Sequence, residues 1–272
     1  MPELPEVESV AAALRLNLQG RRVTGLNIRF PGVFRDPPGR VSRAVVGKQL
    51  EGVHRHGKYL ILNFAADTHL MLHLRMTGQI FVRDDYLPDQ HVHAVFDFEG
   101  VTVHYRDIRK FGRFVLVDDA RRPSAIEHVG PDVLRVRFPD WQRRIAGRRA
   151  PIKALLLDQG IAAGLGNIYV DEALHRAGVR PDTPASALRD DELRLILARS
   201  KEVLRSAISH GGTTFLNFTN FHGKPGDFRR KLRVYQRTGE PCRACGTLLE
   251  RMRVAGRSSH YCPVCQPARM PR

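Results

Sequence analysis

Apolar residues in the first eighteen positions recur at Val7, Val10, Ala11, Leu14 and Leu18, the spacing of one buried helical face, and Pro5 is tolerated in an opening turn. A helix over Pro2 to Leu18 is predicted. From Arg22 to about Asp118 the period shortens to β-rich runs at Arg22–Phe30, Tyr59–Phe64, His69–Leu74, Gln79–Val82, His93–Phe98, Val101–Tyr105 and Arg113–Val117, separated by Gly, Pro and Asp. This spacing predicts a β-sandwich or barrel. After Pro131 the pattern turns helical, at Asp140–Ile145, Ile152–Asp158, Asn167–Ala177 and Asp190–Ser209, the last with Leu193, Ile196, Leu197, Val203, Leu204 and Ile208 on one face. A Gly-rich stretch from His210 through Gly226 precedes the basic run Phe228 to Arg237; loops of that length in compact proteins are often functional. There is no internal repeat and no low-complexity segment. The fold class expected is α+β: an N-terminal β-sandwich with a leading helix over 1–131, a helical domain with a long Gly-rich loop over 132–236, and a small C-terminal module over 237–272.

Charge changes the picture. The 272 residues carry 44 Lys plus Arg against 28 Asp plus Glu, a formal net charge of +16, spread along the whole chain. A folded body with a basic surface implies a polyanionic partner, nucleic acid first. The composition, 42% hydrophobic and 26% charged, excludes disorder as the main state. The longest uninterrupted apolar run, Val10 to Leu14, falls short of both a membrane span and a signal-peptide core, so a soluble, cytoplasmic chain is expected.

All four cysteines fall late, at Cys242, Cys245, Cys262 and Cys265, as two C-x-x-C pairs with sixteen residues between them. Each pair can supply two soft ligands from one tight knuckle, and two knuckles on a hairpin close a tetrahedral zinc site. Four thiolates leave no position for water, so one structural Zn2+ is expected, clipping a module too small to fold on an apolar core alone. Paired disulfides are the alternative, disfavoured in a chain without a secretion signal. Thr247 to Met252 and Ser259 to Tyr261 read as the hairpin strands, with Arg257 at an exposed tip.

The opening Met1-Pro2-Glu3-Leu4-Pro5-Glu6-Val7-Glu8, together with the four-cysteine finger, resembles formamidopyrimidine-DNA glycosylases. Similar segments follow in order: His56-Gly57-Lys58-Tyr59-Leu60, His73-Leu74-Arg75-Met76-Thr77-Gly78, Asp107-Ile108-Arg109-Lys110-Phe111-Gly112, Gly164-Leu165-Gly166-Asn167-Ile168-Tyr169, Gly211-Gly212-Thr213-Thr214 and Val234-Tyr235. Arg75 stands where a Gly is frequent and Lys110 where an Arg is frequent. The resemblance implies a repair enzyme that excises oxidised purines from duplex DNA, acting as a monomer, with a β-sandwich, a helix-two-turn-helix domain and a zinc finger.

The chemistry calls for an amine that attacks the sugar carbon and holds it as an iminium. An α-amine has a pKa of about 7.7–8.0 against about 10.4 for lysine, so the N-terminus is the stronger candidate at neutral pH. The resemblance matches Pro2, once Met1 is removed, to the nucleophile. It assigns Glu3 to proton transfer and Lys58 to a cation near the reacting sugar and phosphate; Glu6 is a second carboxylate whose placement at a helix start also has a plain dipole explanation. A flipped base leaves a hole in the stack. Met76 and Phe111 match the family's void-filling side chains and Arg109 its donor to the orphaned cytosine, although Met76 and Phe111 by pattern alone read as core. The resemblance adds His91, Lys153, Asn167 and Tyr235 to the DNA-binding set and counts the fingertip Arg257, a charged fork aimed at phosphate, with the catalytic residues Pro2, Glu3 and Lys58; for Asn167 an ordinary helix cap is the alternative. Two other functions stay open at this point: an oxidised-pyrimidine glycosylase of endonuclease VIII type, and a non-catalytic zinc-finger DNA-binding protein.

Overall fold

The computed structural model describes residues 2–82, 89–121, 123–213 and 226–269. The chain packs into two units, Met1–Glu127 with His210–Asp227, and His128–Ser209 with Phe228–Arg272. The first runs through α1 (Leu4–Leu18), β1 (Val23–Ile28), α2 (Pro38–Val45), β2 (Leu50–His56), β3 (Tyr59–Phe64), β4 (Thr68–His73), β5 (Gly78–Val82), β6 (Val92–Phe98), β7 (Val101–Asp107) and β8 (Arg113–Val117). The strands form two antiparallel four-stranded sheets, ordered β1-β6-β7-β5 and β2-β3-β4-β8. Leu14, Leu50, Phe64, Leu72, Phe96, Tyr105 and Phe114 belong to one core shared by both sheets and α1, which is the expected sandwich. Because α1 lies against β2 and β3, β3 is covered on both faces: Leu60 to Phe64 are all buried, and the period-two alternation is lost there.

Sequence reading misses α2 and β2. The Pro38-Gly39 start of α2 looks like a turn, and only Val41 and Val45 are buried. In β2 the apolar residues are Leu50 and Val53, and a register shift between Leu50 and Gly52 breaks the alternation that would have marked the strand.

The second unit holds α3 (Phe138–Ile145), α4 (Ile152–Leu157), α5 (Asn167–Ala177) and α6 (Asp190–Ser209), then the hairpin β9 (Glu250–Val254) and β10 (Arg257–Tyr261). α5 is the centre, packed against α4, α6 and β10. It ends at Gly178, whose φ of +67° supplies the left-handed cap that other residues adopt only with strain. The hairpin pairs Arg257 with Val254 across Ala255 and Gly256, both at positive φ, the two-residue turn that matches strand twist. Its first strand starts later than expected, because Thr247 and Leu248 are used by the knuckle: Cys242 N–H donates to the Thr247 carbonyl at 2.8 Å, and Pro241 bridges Leu248. The finger and the helices therefore share one compact unit, where composition alone separated them. Among the described residues no helix is long and apolar enough to cross a membrane.

Candidate functional site

Pro2, Glu3 and Glu6 are all buried at the start of α1. Glu6 holds this end together: its Oε2 accepts the Glu3 backbone N–H at 2.8 Å, and its Oε1 accepts the Thr213 N–H at 2.7 Å, 207 residues away in sequence. Gly212, at φ +83°, lies so close that an added Cβ would sit 2.8 Å from Glu6 Oε1, so the close approach requires glycine. Two buried carboxylates thus lie at the same helix start as Pro2.

Lys58 lies in the tight turn between β2 and β3 and is only 5% exposed. Next to it, in register across the β3–β4 pair, Tyr59 faces His73, whose ring meets the tyrosine edge-on at 4.6 Å. Burial first, then the charges of Arg75 and Lys58, push His73 down to about 3. A neutral ring agrees with its bonding, since Nδ1 accepts the Arg75 N–H at 2.9 Å.

Met76 sits in the β4–β5 loop, and Arg109 and Phe111 in the β7–β8 loop. Met76 is 40% and Phe111 46% exposed, so neither is core. One buried carboxylate clamps the two loops: Asp107, fully inaccessible, accepts hydrogen bonds from the Thr77 hydroxyl and the Arg109 N–H (3.2 Å) on Oδ1, and from the Gly112 N–H (2.8 Å) and the Tyr105 hydroxyl (3.2 Å) on Oδ2. The Arg109 N–H also reaches Thr77 Oγ1 at 3.1 Å. Gly112 has no room for more, because a Cβ there would lie 1.8 Å from the Tyr105 hydroxyl. The clamp presents the Arg109 guanidinium 4.5 Å over the Phe111 ring, a planar cation stacked on an exposed aromatic. Half-buried His91 joins this edge through its carbonyl, which accepts the Asp107 N–H at 2.9 Å.

In the second unit Asn167 opens α5, but Gly166 is the cap residue. The Asn167 side-chain amide instead donates to the Ser258 carbonyl at 3.0 Å, next to the exposed Arg257. Lys153, expected among the DNA-contacting residues, is completely buried; its ammonium donates to Asp171 Oδ1 at 2.6 Å and to the Ser258 carbonyl at 2.8 Å, so it braces the hairpin next to Arg257. Asp171 completes the brace by accepting the His260 N–H and ring Nδ1–H, both at 2.9 Å. One residue on, buried Glu172 accepts the N–H groups of Arg233, Val234 and Tyr235 at 2.9–3.1 Å. Burial pushes the Glu172 carboxyl up, and these three N–H groups offset only part of that rise. Tyr235, half-buried, turns the edge of its ring to His260 at 5.0 Å. Asn167, Tyr235 and Arg257 are thus gathered around one hairpin.

The four cysteine Sγ atoms lie within 4.8 Å of one another, and none is joined in a disulfide. Zn–S bonds of about 2.3 Å at tetrahedral angles place sulfurs about 3.8 Å apart; Cys242 to Cys265 is 3.9 Å and Cys245 to Cys262 is 3.4 Å. Backbone N–H groups of Ala244 and Cys265 point at Cys242 and Cys262 Sγ at 3.4 Å, the arrangement that supports thiolates. The set fits one structural zinc, with no open position for chemistry. Buried Gln266 ties the second knuckle to the body, accepting the Cys262 N–H and donating to the Val179 carbonyl at 2.7 Å.

Sequence reasoning does not single out Asp107, Asp171, Glu172 or His260. A signal existed for the acidic pair: Asp171-Glu172 interrupts the otherwise apolar stretch Ile168 to Leu174 on a helix, where unpaired carboxylates would not be tolerated. The expected base-recognition loop, Thr213 to Gly226, lies for residues 214–225 outside the described residues.

Comparison with known proteins agrees along the chain. Residues 1–114 match the formamidopyrimidine-DNA glycosylase N-terminal domain, 129–219 the H2TH domain of the same enzymes, and 239–268 the zinc finger found in FPG and IleRS. A formamidopyrimidine-DNA glycosylase of Desulfitobacterium hafniense is 38% identical over 272 residues, covering 98% of this chain and all of that one. That of Desulforamulus reducens is 40% identical over 277 residues, covering 99% of this chain and all of the relative. Among solved structures, a Lactococcus lactis FPG mutant in complex with Fapy-dG containing DNA superposes with a TM-score of 0.92 at 32% identity, over 98% of this chain and 100% of that one. The MutM (FPG) protein of Thermus thermophilus gives 0.87 at 38% identity, over 97% and 98%. With the sandwich, the buried Pro2-Glu3 terminus and the four-thiol finger each falling inside a matched segment, the chain belongs to the formamidopyrimidine-DNA glycosylase family.

Proposed function

We propose that this enzyme excises oxidised purines, formamidopyrimidines and 8-oxoguanine, from duplex DNA and then cleaves the strand as an apurinic/apyrimidinic lyase by β,δ-elimination, the base-excision-repair reaction. The observation that carries the reading is the burial of Pro2 and Glu3 with Glu6 at one helix start. After removal of Met1, the free-base form of the Pro2 secondary amine, about half the population near pH 8 for an ordinary α-amine, attacks C1′ of the flipped nucleotide while the base departs with a proton. A secondary amine yields a cationic iminium, which acidifies the C2′ proton and drives elimination of the phosphate. Glu3 is the proton carrier and Lys58 the cation beside the sugar and phosphate. Glu6, bonded to both Glu3 and Thr213, is a positioning residue.

Flipping exposes a hole that Met76 and Phe111 fill, with Arg109 donating to the cytosine left opposite; their exposure on two clamped loops supports these roles. His91, Asn167, Tyr235 and Arg257 supply the further DNA contacts, and the zinc finger presents Arg257. The solved relatives include Lactococcus lactis Fpg complexes with abasic-site DNA and with Fapy-dG DNA, in keeping with this reading.

The test is borohydride reduction on a duplex bearing 8-oxoguanine. A covalent protein–DNA adduct is expected with Pro2 at the terminus, weakened sharply by Pro2→Gly and absent when Met1 is retained. Full trapping with Met1 in place would overturn Pro2 as nucleophile.

A further inference from the structure

One face of α5 meets the finger at three positions, each four residues beyond the last. Asn167 and Asp171 hold β10, and His175 reaches the first knuckle, its ring Nε2 lying 3.4 Å from Cys242 Sγ. Both partners are interior, the histidine 5% and the cysteine 4% exposed. Cys242 packs in a small apolar cluster with Val234, Leu249 and Cys262, whereas Cys245 faces solvent. Four thiolates against one dication leave two negative charges, and that excess is costly on a sulfur which water does not reach. Cys242 Sγ therefore depends on donors from the protein: the Ala244 N–H of its own knuckle at 3.4 Å, and the imidazole of a helix residue 67 positions earlier.

The other ring nitrogen settles which atom carries the proton. His175 Nδ1 is buried and has no hydrogen-bond partner among the described residues. A proton there would be a buried donor without an acceptor, a costlier orphan than a lone pair, and in a neutral ring it would also turn the Nε2 lone pair onto an anionic sulfur. The Nε2–H tautomer avoids both. The imidazole is not a ligand in its own right, because the four sulfurs already fill a tetrahedral site. We propose that His175 is a positioning residue of the metal centre: its Nε2–H donates to the zinc-bound Cys242 thiolate, offsets the buried negative charge, and so tightens the hold on the metal while tying the first knuckle to α5.

The experiment is competition for zinc between the zinc-loaded full chain and a chromophoric chelator, with Co2+ substitution as the second readout. His175→Leu removes the donor and keeps an apolar side chain in the interior; zinc affinity should fall by about 10- to 100-fold, the cost of losing a hydrogen bond that supports a metal ligand. His175→Gln, whose amide N–H can stand where Nε2–H stood, should stay within about threefold of wild type. In the cobalt protein the sulfur-to-metal charge-transfer band should move to lower energy in His175→Leu, because a thiolate that loses a hydrogen bond gives up its electron more readily, and should return in His175→Gln. Packing alone would not move that band. Magnetic resonance of the imidazole nitrogens in the wild-type zinc protein tests the same point without any variant, and the proton is expected on Nε2. A proton on Nδ1, a cobalt spectrum of three sulfurs and one nitrogen, zinc affinity of His175→Leu within about threefold of wild type, or equal losses in the Leu and Gln variants would each overturn the proposal.

Discussion

Asp107→Asn tests whether one buried carboxylate sets the two loops that carry Met76, Arg109 and Phe111. The wild-type carboxylate takes four donors, two on each oxygen. Asparagine keeps one acceptor oxygen, and the less costly orientation leaves it facing Gly112 and Tyr105: the Arg109 N–H retains Thr77 Oγ1 as a second acceptor, whereas among the described residues the Gly112 N–H bonds to Asp107 alone. In that orientation the Thr77 hydroxyl turns to accept from the new amide. Two bonds lose the charge of their acceptor and one backbone N–H loses half of a shared bond, which together amounts to about 2–3 kcal/mol. No solvent screening reduces this, since Asp107 is fully buried. Hydrogen exchange read by mass spectrometry over residues 74–78 and 107–113 should speed up by about 30- to 150-fold, at 1.4 kcal/mol per decade, with strands β2 and β3 unchanged. Excision by the variant should fall with it. Exchange within threefold of wild type in both loops would refute the clamp.

Lys153→Met leaves Asp171 charged and buried without its ammonium partner, so a loss of about 3–5 kcal/mol is expected in the second unit, largely restored by adding Asp171→Asn; a drop of about one unit in the slope of log affinity for DNA against log salt would mark Lys153 as a phosphate contact as well, and an unchanged slope would leave it a brace alone. Cys262→Ser or strong chelation should abolish binding of damaged duplex while circular dichroism still reports the β-sandwich, and undiminished affinity in a protein shown by metal analysis to be zinc-free would overturn the structural-metal reading. His73 binds its proton less well folded than unfolded, so its contribution is fully present above pH 6.5 and is lost as pH falls toward about 3; stability should decline by about 1 kcal/mol per pH unit in that window, and His73→Gln should flatten the decline in urea titrations from pH 6.5 to 4. If Arg109 donates to the orphaned base, excision of 8-oxoguanine should be about fivefold to a hundredfold faster opposite cytosine than opposite adenine, and Arg109→Ala should blunt that ratio; equal wild-type rates on the two duplexes would remove the role.

The parts legible in the sequence are those whose cause is local. α5 and α6 appear at their observed bounds, as do β3 and β8, because each is a continuous apolar or amphipathic run closed by Gly, Pro or a charge. The cysteine site is equally local, two ligands per knuckle at a fixed spacing. Illegible features are those set by a partner far along the chain. Nothing near Glu6 announces that it accepts the Thr213 N–H, and nothing near Lys153 announces the counterion eighteen residues on. Lysine is by type a surface residue, so its chemistry points outward until the pairing partner is known. Met76 and Phe111 err in the opposite sense: residue type assigns them to the core, and their polar flanks carry the better signal.

The placement of the fingertip rests on helix geometry as well as on metal. Asn167 and Asp171 are four residues apart on α5 and therefore share a face, and both bond to β10, at Ser258 and His260. Glu172, turned by one residue, meets the 233–235 segment that leads into the first knuckle. A zinc ion would close the two knuckles, and its ligand Cys242 also meets α5 through His175 Nε2 at 3.4 Å, so the metal site touches the helix at one point. The hairpin that carries Arg257 is held to α5 chiefly through two buried carboxylates, which accept from backbone N–H groups, the His260 ring and the Lys153 ammonium. Buried charges of this kind add little net stability compared with apolar packing, whereas each bond is directional. If Arg257 grips a phosphate, as proposed, the grip gains from direction more than from stability, which gives a physical reason for an acidic pair inside the buried stretch Ile168 to Leu174.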